Sequence, residues 1–320
     1  MKPSTALPAS EHDCRYLVGI DLGTTNSVVH YVDLEADRRI QPFPIPQLVA
    51  LGEIAALPQL PSFAYVSADH EAPAGTLDLP WAQPDAVIVG TLARDQGALV
   101  PERLISSAKS WLAHAGVDRT RGILPWGSDL GDRKLSPLEV SYRFLEHIRQ
   151  AWDHRMGSQR DRHGTPARLA EQQVLLTVPA SFDDVARQLT VEAARRAGLA
   201  HLTLIEEPLA AFYAWLAENE DAWSATLQPG QTVLVVDVGG GTTDFSLVAI
   251  ESGPTLRRTA VGDHLLLGGD NMDMALARRA EKAWGKPLPT RQWFQLCQLC
   301  RRAKKALLAG VESVKGLLDQ

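Results

Sequence analysis

The sequence has few of the features that mark secreted, disulfide-stabilised or nucleic-acid-binding proteins. Its 320 residues include three cysteines, Cys14, Cys297 and Cys300, which are too few for a disulfide framework. The N-terminal residues contain no apolar run of the length found in secretory signal peptides. Acidic residues outnumber basic ones, 38 to 32, so no overall positive field attracts nucleic acid or an anionic membrane surface. These absences predict a cytoplasmic protein that binds no nucleic acid and no membrane.

Two common nucleotide-binding motifs and a membrane span are also missing. The sequence contains no Gly-x-x-x-x-Gly-Lys-Ser/Thr motif. The dinucleotide fingerprint needs a third small residue, but Gly239-x-Gly241 has Asp244 at that position. The weakly charged stretch from Ile40 to Ala68 contains several prolines and Glu53, which exclude a lipid-facing helix. A phosphate-bearing ligand would therefore need a different kind of turn.

The composition is that of a folded protein, with 45% hydrophobic and 22% charged residues. The length suffices for about two domains. Short apolar strands alternate with amphipathic helices, which predicts the α/β class. One helix is predicted from Pro101 to Ala115, and another is predicted to start at a Ser181 cap, to bury Val185 and to end at Gly198.

One supersecondary unit occurs twice in the chain. A strand from Tyr16 to Asp21 leads through a Gly/Thr-rich turn into a second strand, Val28 to Val32. The same order recurs with a strand from Val233 to Asp237, a Gly/Thr-rich turn and a return strand from Phe245 to Ile250. This internal duplication predicts two similar lobes that face each other.

Both copies place an aspartate at the end of the first strand, immediately before glycines and threonines. Backbone N–H groups in such turns bind anions, and glycine lets the main chain approach phosphate oxygens closely. Asp21 and Asp237 would repel a phosphate directly, but a hydrated Mg²⁺ between them and the phosphate removes that conflict. The pattern therefore predicts two clamps on a di- or triphosphate. The alternative is that each turn is only a tight hairpin.

Five segments resemble the DnaK-type, seventy-kilodalton heat-shock chaperone family, and they occur in that family's order. The resemblance covers about residues 15 to 310, and it is most specific in the second and third segments. The segments are GIDLGTTNSVV (19–29), LLTVPASFDDVARQLTVEAARRAGL (175–199), LIEEPLAA (204–211), VVDVGGGTTDFSLV (235–248) and GDHLLLGGDNMD (262–273).

The resemblance implies an actin-like ATPase fold of two ribonuclease-H-like lobes with inserted subdomains. After a disordered N-terminal tail, 1–14, the first lobe would span 15–227, with an inserted subdomain at 41–135. A partial second lobe would span 228–320, with the start of an inserted helical subdomain at 267–320. The second lobe is expected to be incomplete, because the chain ends before several elements that the family possesses.

The resemblance also implies roles for individual residues. Lys109 would reach the γ-phosphate of ATP, and Glu207 would help to position the attacking water. Asp21, Glu207 and Asp237 would hold Mg²⁺, mostly through water. The residues implied to contact ATP or ADP are Gly23, Thr24 and Thr25 in the first turn, Gly239, Gly240, Gly241 and Thr242 in the second, and Lys304 and Lys305 in an adenine-contacting helix.

Two departures from the family lie on that helix. Arg301 stands where the family has an acid, and Leu308 stands where it has serine. The chain also ends before the family's second adenine-binding motif, so we expect ATP to be held chiefly through its phosphates and Mg²⁺, with poor discrimination between ATP and GTP. We also expect this chain alone neither to bind unfolded peptides nor to turn over ATP at the family's normal rate.

The function implied is that of the ATP-binding and ATP-hydrolysing domain of a DnaK-like chaperone, with ATP/ADP and Mg²⁺ as ligands. The complete protein would work with unfolded polypeptides, a J-domain co-chaperone and a nucleotide-exchange factor. Two alternatives stay open at this point. One is a carbohydrate kinase of the same actin-like superfamily, and the other is a non-catalytic nucleotide-sensing or filament-forming relative.

Overall fold

A computed structural model describes residues 14–310 except 70, 83–85, 220–221, 252–255, 263–264 and 266. The predicted disordered tail, 1–14, lies outside the described residues except for Cys14, and so do the last ten residues of the predicted segment 267–320. None of the helices described is long and apolar enough to cross a membrane.

The strands form one large sheet and three smaller ones. The large sheet has the order β11-β10-β1-β2-β3, with β6 also paired to β2, and the others are β12-β13-β14, β8-β7-β9 and β4-β5. In chain order the strands are β1 (Tyr16–Leu22), β2 (Asn26–Asp33), β3 (Ile40–Pro42), β4 (Ile45–Ala50), β5 (Glu53–Leu57), β6 (Leu60–Pro61), β7 (Ala64–Val66), β8 (Val87–Val89), β9 (Leu104–Ile105), β10 (Gln173–Val178), β11 (Leu202–Glu206), β12 (Thr232–Val238), β13 (Thr243–Ile250) and β14 (Leu256–Val261).

Helices alternate with these strands, as the α/β prediction requires. They are α1 (Thr91–Leu99), α2 (Ala108–Ala113), α3 (Pro137–Met156), α4 (Asp184–Arg196), α5 (Glu207–Glu218), α6 (Trp223–Thr226), α7 (Gly269–Trp284) and α8 (Thr290–Leu308). Short 3₁₀ turns occupy Pro101–Arg103, Gly131–Arg133 and Leu169–Glu171.

The largest core lies against the six-stranded sheet. Side chains of β1 alternate between fully buried and half-buried positions, which is the period of a strand with one face on a core. Helix α3 packs on this face, and its buried Trp152 contacts Tyr16 of β1 and Tyr31 of β2 edge-on at 5.5 Å. Trp152 also donates its indole N–H to Ala167 O at 2.9 Å, so its polar atom is satisfied.

The three-stranded sheet repeats the start of the large one. Strands β12 and β13 pair antiparallel as β1 and β2 do, and β14 continues the meander. Helix α5 covers one face, where Phe212 packs against Val248 and Ile250. On the opposite face of β12, Leu234 and Val236 are exposed. The predicted duplication of the hairpin is therefore present in the structure.

Two helix predictions need correction. Helix α4 is capped by Asp183, which accepts a hydrogen bond from the Ala186 N–H at 2.7 Å, and not by Ser181. Val185 lies on its outer face and is 53% exposed, because Ala186 and its neighbours at helical spacing take the buried positions. The end at Gly198 is confirmed, since this residue adopts the left-handed φ of +84°.

The helix predicted from Pro101 to Ala115 is broken into three pieces. A 3₁₀ turn at Pro101–Arg103 is followed by β9, which pairs with β7, and only then by α2. Ser107 has a positive φ of 54° at the start of α2, so the chain turns sharply there. The pairing of β9 with β7 outweighs the local helical pattern and redirects α2.

Candidate functional site

Both duplicated hairpins carry their aspartate at the end of the first strand. In β1 and β2, Asp21 pairs with Val28 across the hairpin, and in β12 and β13 Asp237 pairs with Asp244. The Thr177 hydroxyl, on the neighbouring parallel strand β10, donates to Asp21 Oδ1 at 2.6 Å. Each aspartate is thus the penultimate residue of its strand, one residue before a glycine-containing turn.

The turns of the two hairpins touch each other. A Cβ atom on Gly240 would lie 1.6 Å from Thr25 Oγ1, and one on Gly241 would lie 3.2 Å from Thr24 Cγ2. Gly240 does not have a positive φ, so the close approach of Thr25, and not the backbone conformation, requires glycine here. Gly23 is required for a similar reason, because its Cβ would lie 2.2 Å from Asn26 O.

Lys109 and Glu207 form an ion pair next to these turns. The Lys109 ammonium donates to Glu207 Oε1. The two side chains are only 11% and 16% exposed. Lys109 is the second residue of α2, and Glu207 is the first residue of α5, directly before Pro208. Two helix N-termini from distant parts of the chain therefore place one cation and one anion in contact.

The charged side chains at the site shift one another's pKa values. Burial disfavours the charged form of Lys109, yet Glu207, Asp21 and Asp237 together raise its pKa above the usual value. Burial raises the pKa of Glu207, against the lowering effect of Lys109. Burial, followed by the charge of Asp244, raises the pKa of Asp237. Three carboxylates thus stabilise the charged form of Lys109.

Within the described residues, hydrogen-bond donors without acceptors at the two turns make the site suitable for a phosphate group. Thr25 Oγ1 is buried, and no partner lies within hydrogen-bond range of it in the described structure. Gly239 N–H donates to Thr242 O at 2.8 Å. Among the residues described, the N–H groups of Gly240 and Gly241 have no backbone acceptor. Hydroxyl and backbone donors of this kind are the groups that bind phosphate oxygens.

The site does not form a ready-made direct metal centre. No three His, Cys, Asp or Glu side chains lie close enough together to hold a metal ion in the part of the chain that the structure describes. The donor set of Asp21, Glu207 and Asp237 matches Mg²⁺ in chemistry, because Mg²⁺ prefers oxygen and keeps much of its water. The predicted role of these three carboxylates in holding Mg²⁺, mostly through water, stays a prediction.

The start of α7 holds the second turn in place. This role was not predicted from the sequence. Gly269 N–H donates to Gly239 O at 3.0 Å, and Asp270 N–H donates to Gly240 O at 2.7 Å. A Cβ on Gly268 would lie 2.6 Å from Gly240 O, so only glycine permits this approach. The repeated glycines at 268–269 were the available signal, since paired glycines indicate close backbone contact.

Helix α8 is held to the start of α7 by ion pairs. Lys304 Nζ donates to Gly269 O at 2.8 Å and lies 2.6 Å from Asp273 Oδ1. Arg301 donates to Asp273 at 2.9 Å and also to Asp270. The structure thus brings Lys304 beside the second turn and gives Arg301 two carboxylate partners on α7.

Lys305, the next residue of α8, is exposed. The roles predicted for Lys304 and Lys305 in nucleotide binding remain predictions.

Comparison with known proteins identifies the family. A profile described as "Hsp70 protein" matches residues 85–314. The chain belongs to the Hsp70 family. This confirms the resemblance drawn from the five segments, and the mixed α/β architecture agrees with it. The division of this Hsp70-family chain into two lobes at 15–227 and 228–320 remains a prediction.

Several similar curated proteins carry the name "Chaperone protein HscA homolog". The one from Shewanella frigidimarina is 30% identical over 312 residues, covering 93% of this chain and 43% of the relative. The one from Actinobacillus pleuropneumoniae is 32% identical over 320 residues, covering 95% and 44%. The one from Acidithiobacillus ferrooxidans is 31% identical over 330 residues, covering 98% and 45%. The Hsp70-family chain therefore spans less than half the length of these relatives.

Proposed function

We propose that this chain is the nucleotide-binding part of an Hsp70-type chaperone, and that it binds ATP with Mg²⁺ and hydrolyses it to ADP and phosphate. One observation carries the proposal: the turns of the two duplicated hairpins meet beside the largely buried Lys109–Glu207 pair. A hairpin turn that served only to reverse the chain would not need to meet its duplicate. Contact between two donor-rich turns supports binding of one ligand by both.

Lys109 and Glu207 supply different parts of the chemistry. The raised pKa of Lys109 keeps its ammonium charged, so it can stabilise negative charge that develops on the transferring phosphoryl oxygens. Glu207 is an acceptor next to that charge, which suits it to orient a water molecule for in-line attack. Their contact neutralises both groups. Nucleotide binding would then exchange one partner of Lys109 for a phosphate.

The two turns would separate slightly to admit a phosphate group. Gly240 lies against Thr25, since a Cβ atom on Gly240 would be 1.6 Å from Thr25 Oγ1. On binding, Thr25 would donate its hydroxyl to the phosphate in place of this contact, and the N–H groups of Gly240 and Gly241 would donate from the opposite side. Mg²⁺, when bound, would neutralise phosphate charge, with Asp21, Glu207 and Asp237 holding its water shell.

For the whole protein we propose a cytoplasmic chaperone that acts on unfolded polypeptides with a J-domain co-chaperone and a nucleotide-exchange factor. The HscA names of the relatives and the Hsp70 family profile support this part of the proposal. It concerns a protein of about the length of those relatives, of which this chain covers less than half.

A single-turnover experiment tests the proposed reaction. The chain is held in excess over ATP labelled at the γ-phosphate, with Mg²⁺ or with chelator, so that even slow hydrolysis is measured. We expect Mg²⁺-dependent release of inorganic phosphate at the same rate with and without added hexoses and pentoses. Sugar-stimulated ATP consumption with a phosphorylated sugar as product would contradict the proposal and favour a carbohydrate kinase.

A further inference from the structure

We propose that Glu206 is a positioning residue, which joins the three-stranded sheet to the strand end that carries Glu207. It does so through two arginines, Arg187 of α4 and Arg258 of β14. The inference rests on the proposed ATP hydrolysis, and it assigns a role to a carboxylate that does not contact the nucleotide site itself.

The bridge consists of one hydrogen bond and one ion pair that lacks hydrogen-bond geometry. Glu206 Oε1 accepts a hydrogen bond from Arg187 Nη2 at 2.9 Å, and Glu206 Oε2 lies 2.8 Å from Arg258 Nε. The Glu206 side chain is 15% exposed. Both guanidinium groups also donate to Ala180 O, at 3.4 Å from Arg187 and 3.5 Å from Arg258. Arg187 donates in addition to Phe182 O at 3.2 Å.

The bridge connects elements that belong to different sheets. Glu206 is the last residue of β11 and pairs with Val178, the last residue of β10, in the six-stranded sheet. Arg258 belongs to β14 of the three-stranded sheet and pairs with Val248 of β13. Strand β13 begins directly after the second glycine-containing turn. The bridge therefore fixes one end of the sheet whose other end presents that turn.

Glu206 is also the residue before Glu207. It precedes the first turn of α5, and its backbone is extended, with φ of −73° and ψ of 135°. A shift of Glu206 toward either arginine would move the Glu207 carboxylate relative to Lys109. A displacement of about 1 Å in a positioning element can cost as much as about a hundredfold in rate. The bridge is thus placed to set the distance between Glu207 and the second turn.

A fully exposed ion pair would have little such effect, because solvent screens it. This bridge differs because its carboxylate is largely buried and has two cationic partners, whose side chains are 27% and 31% exposed. Removing the charge of Glu206 would leave two guanidinium groups facing each other without their shared anion. The two sheets would then lose this connection between them.

Arg258→Leu cuts the connection to the three-stranded sheet and leaves the Arg187–Glu206 contact in place. The adjacent Arg257→Leu is the matched control, because Arg257 is 63% exposed in its side chain and pairs with Glu251. We expect Arg258→Leu to lower the single-turnover rate of ATP hydrolysis by about fivefold or more while changing the dissociation constant of ADP by less than about twofold. Arg258→Lys should recover part of the rate, and Arg257→Leu should match the wild type.

A second measurement does not depend on activity. Nitroxide labels at Val185→Cys on α4 and Leu234→Cys on β12, both exposed positions, report the distance between the sheets in a chain whose native cysteines are serine. We expect a broader distance distribution in Arg258→Leu than in Arg257→Leu. Equal distributions, or equal hydrolysis rates in these two variants, would overturn the positioning role. A wild-type chain that releases no phosphate would contradict the proposed function, while the distance measurement still decides whether the bridge orients the sheets.

Discussion

Replacing Lys109 by methionine tests how strongly the stability of the fold depends on this one cation. The side chains of Lys109 and Glu207 are 11% and 16% exposed, so the variant leaves a nearly buried carboxylate without its partner. Removing one member of a buried pair costs about 3–5 kcal/mol. Partial solvent access lowers that range, and the nearby Asp21 and Asp237 charges, which lose the same counter-charge, raise it. We expect the free energy of unfolding to fall by about 3 kcal/mol near neutral pH.

The loss should depend on pH in a defined direction. Burial already raises the pKa of Glu207, and loss of Lys109 removes the charge that opposed this rise. A carboxyl group whose pKa is raised by folding contributes its full stability below its unfolded pKa and loses it as pH rises through the folded pKa. Lys109→Met should therefore be least destabilising below about pH 4.5, the ordinary pKa of a glutamate, and most destabilising near neutral pH, where the unpaired carboxylate must ionise or stay protonated at a cost.

Urea unfolding of four variants measures the effect. Lys109→Met, Glu207→Gln and their combination form a double-mutant cycle, and the exposed Lys282→Met is the control, expected within about 0.5 kcal/mol of the wild type. The double variant should be close in stability to Glu207→Gln alone.

Lys109→Met should also retain ADP binding and lose most γ-phosphate cleavage. Additive effects of the two substitutions would contradict the coupling of Lys109 with Glu207, and equal losses of ADP affinity and turnover would contradict a role of Lys109 in cleavage.

Two further predictions concern packing and acid stability. Gly240→Ala places a methyl group against Thr25 Oγ1 and should lower the free energy of unfolding by about 1–3 kcal/mol. Gly239→Ala should lower it less in the same urea titration, because its Cβ would lie 3.4 Å from the nearest atom, Thr242 O. Burial lowers the pKa of His147 to about 4. The unfolded chain therefore takes up this proton first, and the free energy of unfolding should fall by up to about 3 kcal/mol between about pH 6.5 and about pH 4. In His147→Gln this part of the pH dependence should disappear, and an unchanged slope would assign it to other groups.

The hairpins could be predicted from the sequence because their signals are local. Alternating apolar residues, an acid at the strand end and a glycine-containing turn lie within a dozen residues of each other at Tyr16 and again at Val233. The structure confirms both hairpins, but it pairs Asp244 with Asp237 in the strands, whereas the sequence pattern placed Asp244 in the turn. Contact between the two turns could be predicted only with the further assumption that the duplicated units face each other.

Residues that act through distant partners could not be predicted in this way. No local pattern connects Lys109 with Glu207, and only the family resemblance suggested both. Arg301 stood out as a departure from the family, yet its pairing with Asp270 and Asp273 depends on how α7 and α8 pack. The Glu206–Arg258 bridge joins two sheets whose relative placement has no sequence signal.

Calorimetric titration of ADP into the 320-residue chain tests whether the two turns form one phosphate site. We expect binding that weakens by about tenfold or more when Mg²⁺ is removed, and by a similar factor in the double variant Asp21→Asn with Asp237→Asn, because both carboxylates hold the metal's water shell. Asp95→Asn, an exposed carboxylate on α1, is the control and should bind ADP as the wild type does. Binding of equal strength in all three proteins, or no binding at millimolar ADP with Mg²⁺, would contradict a shared phosphate site at the two turns.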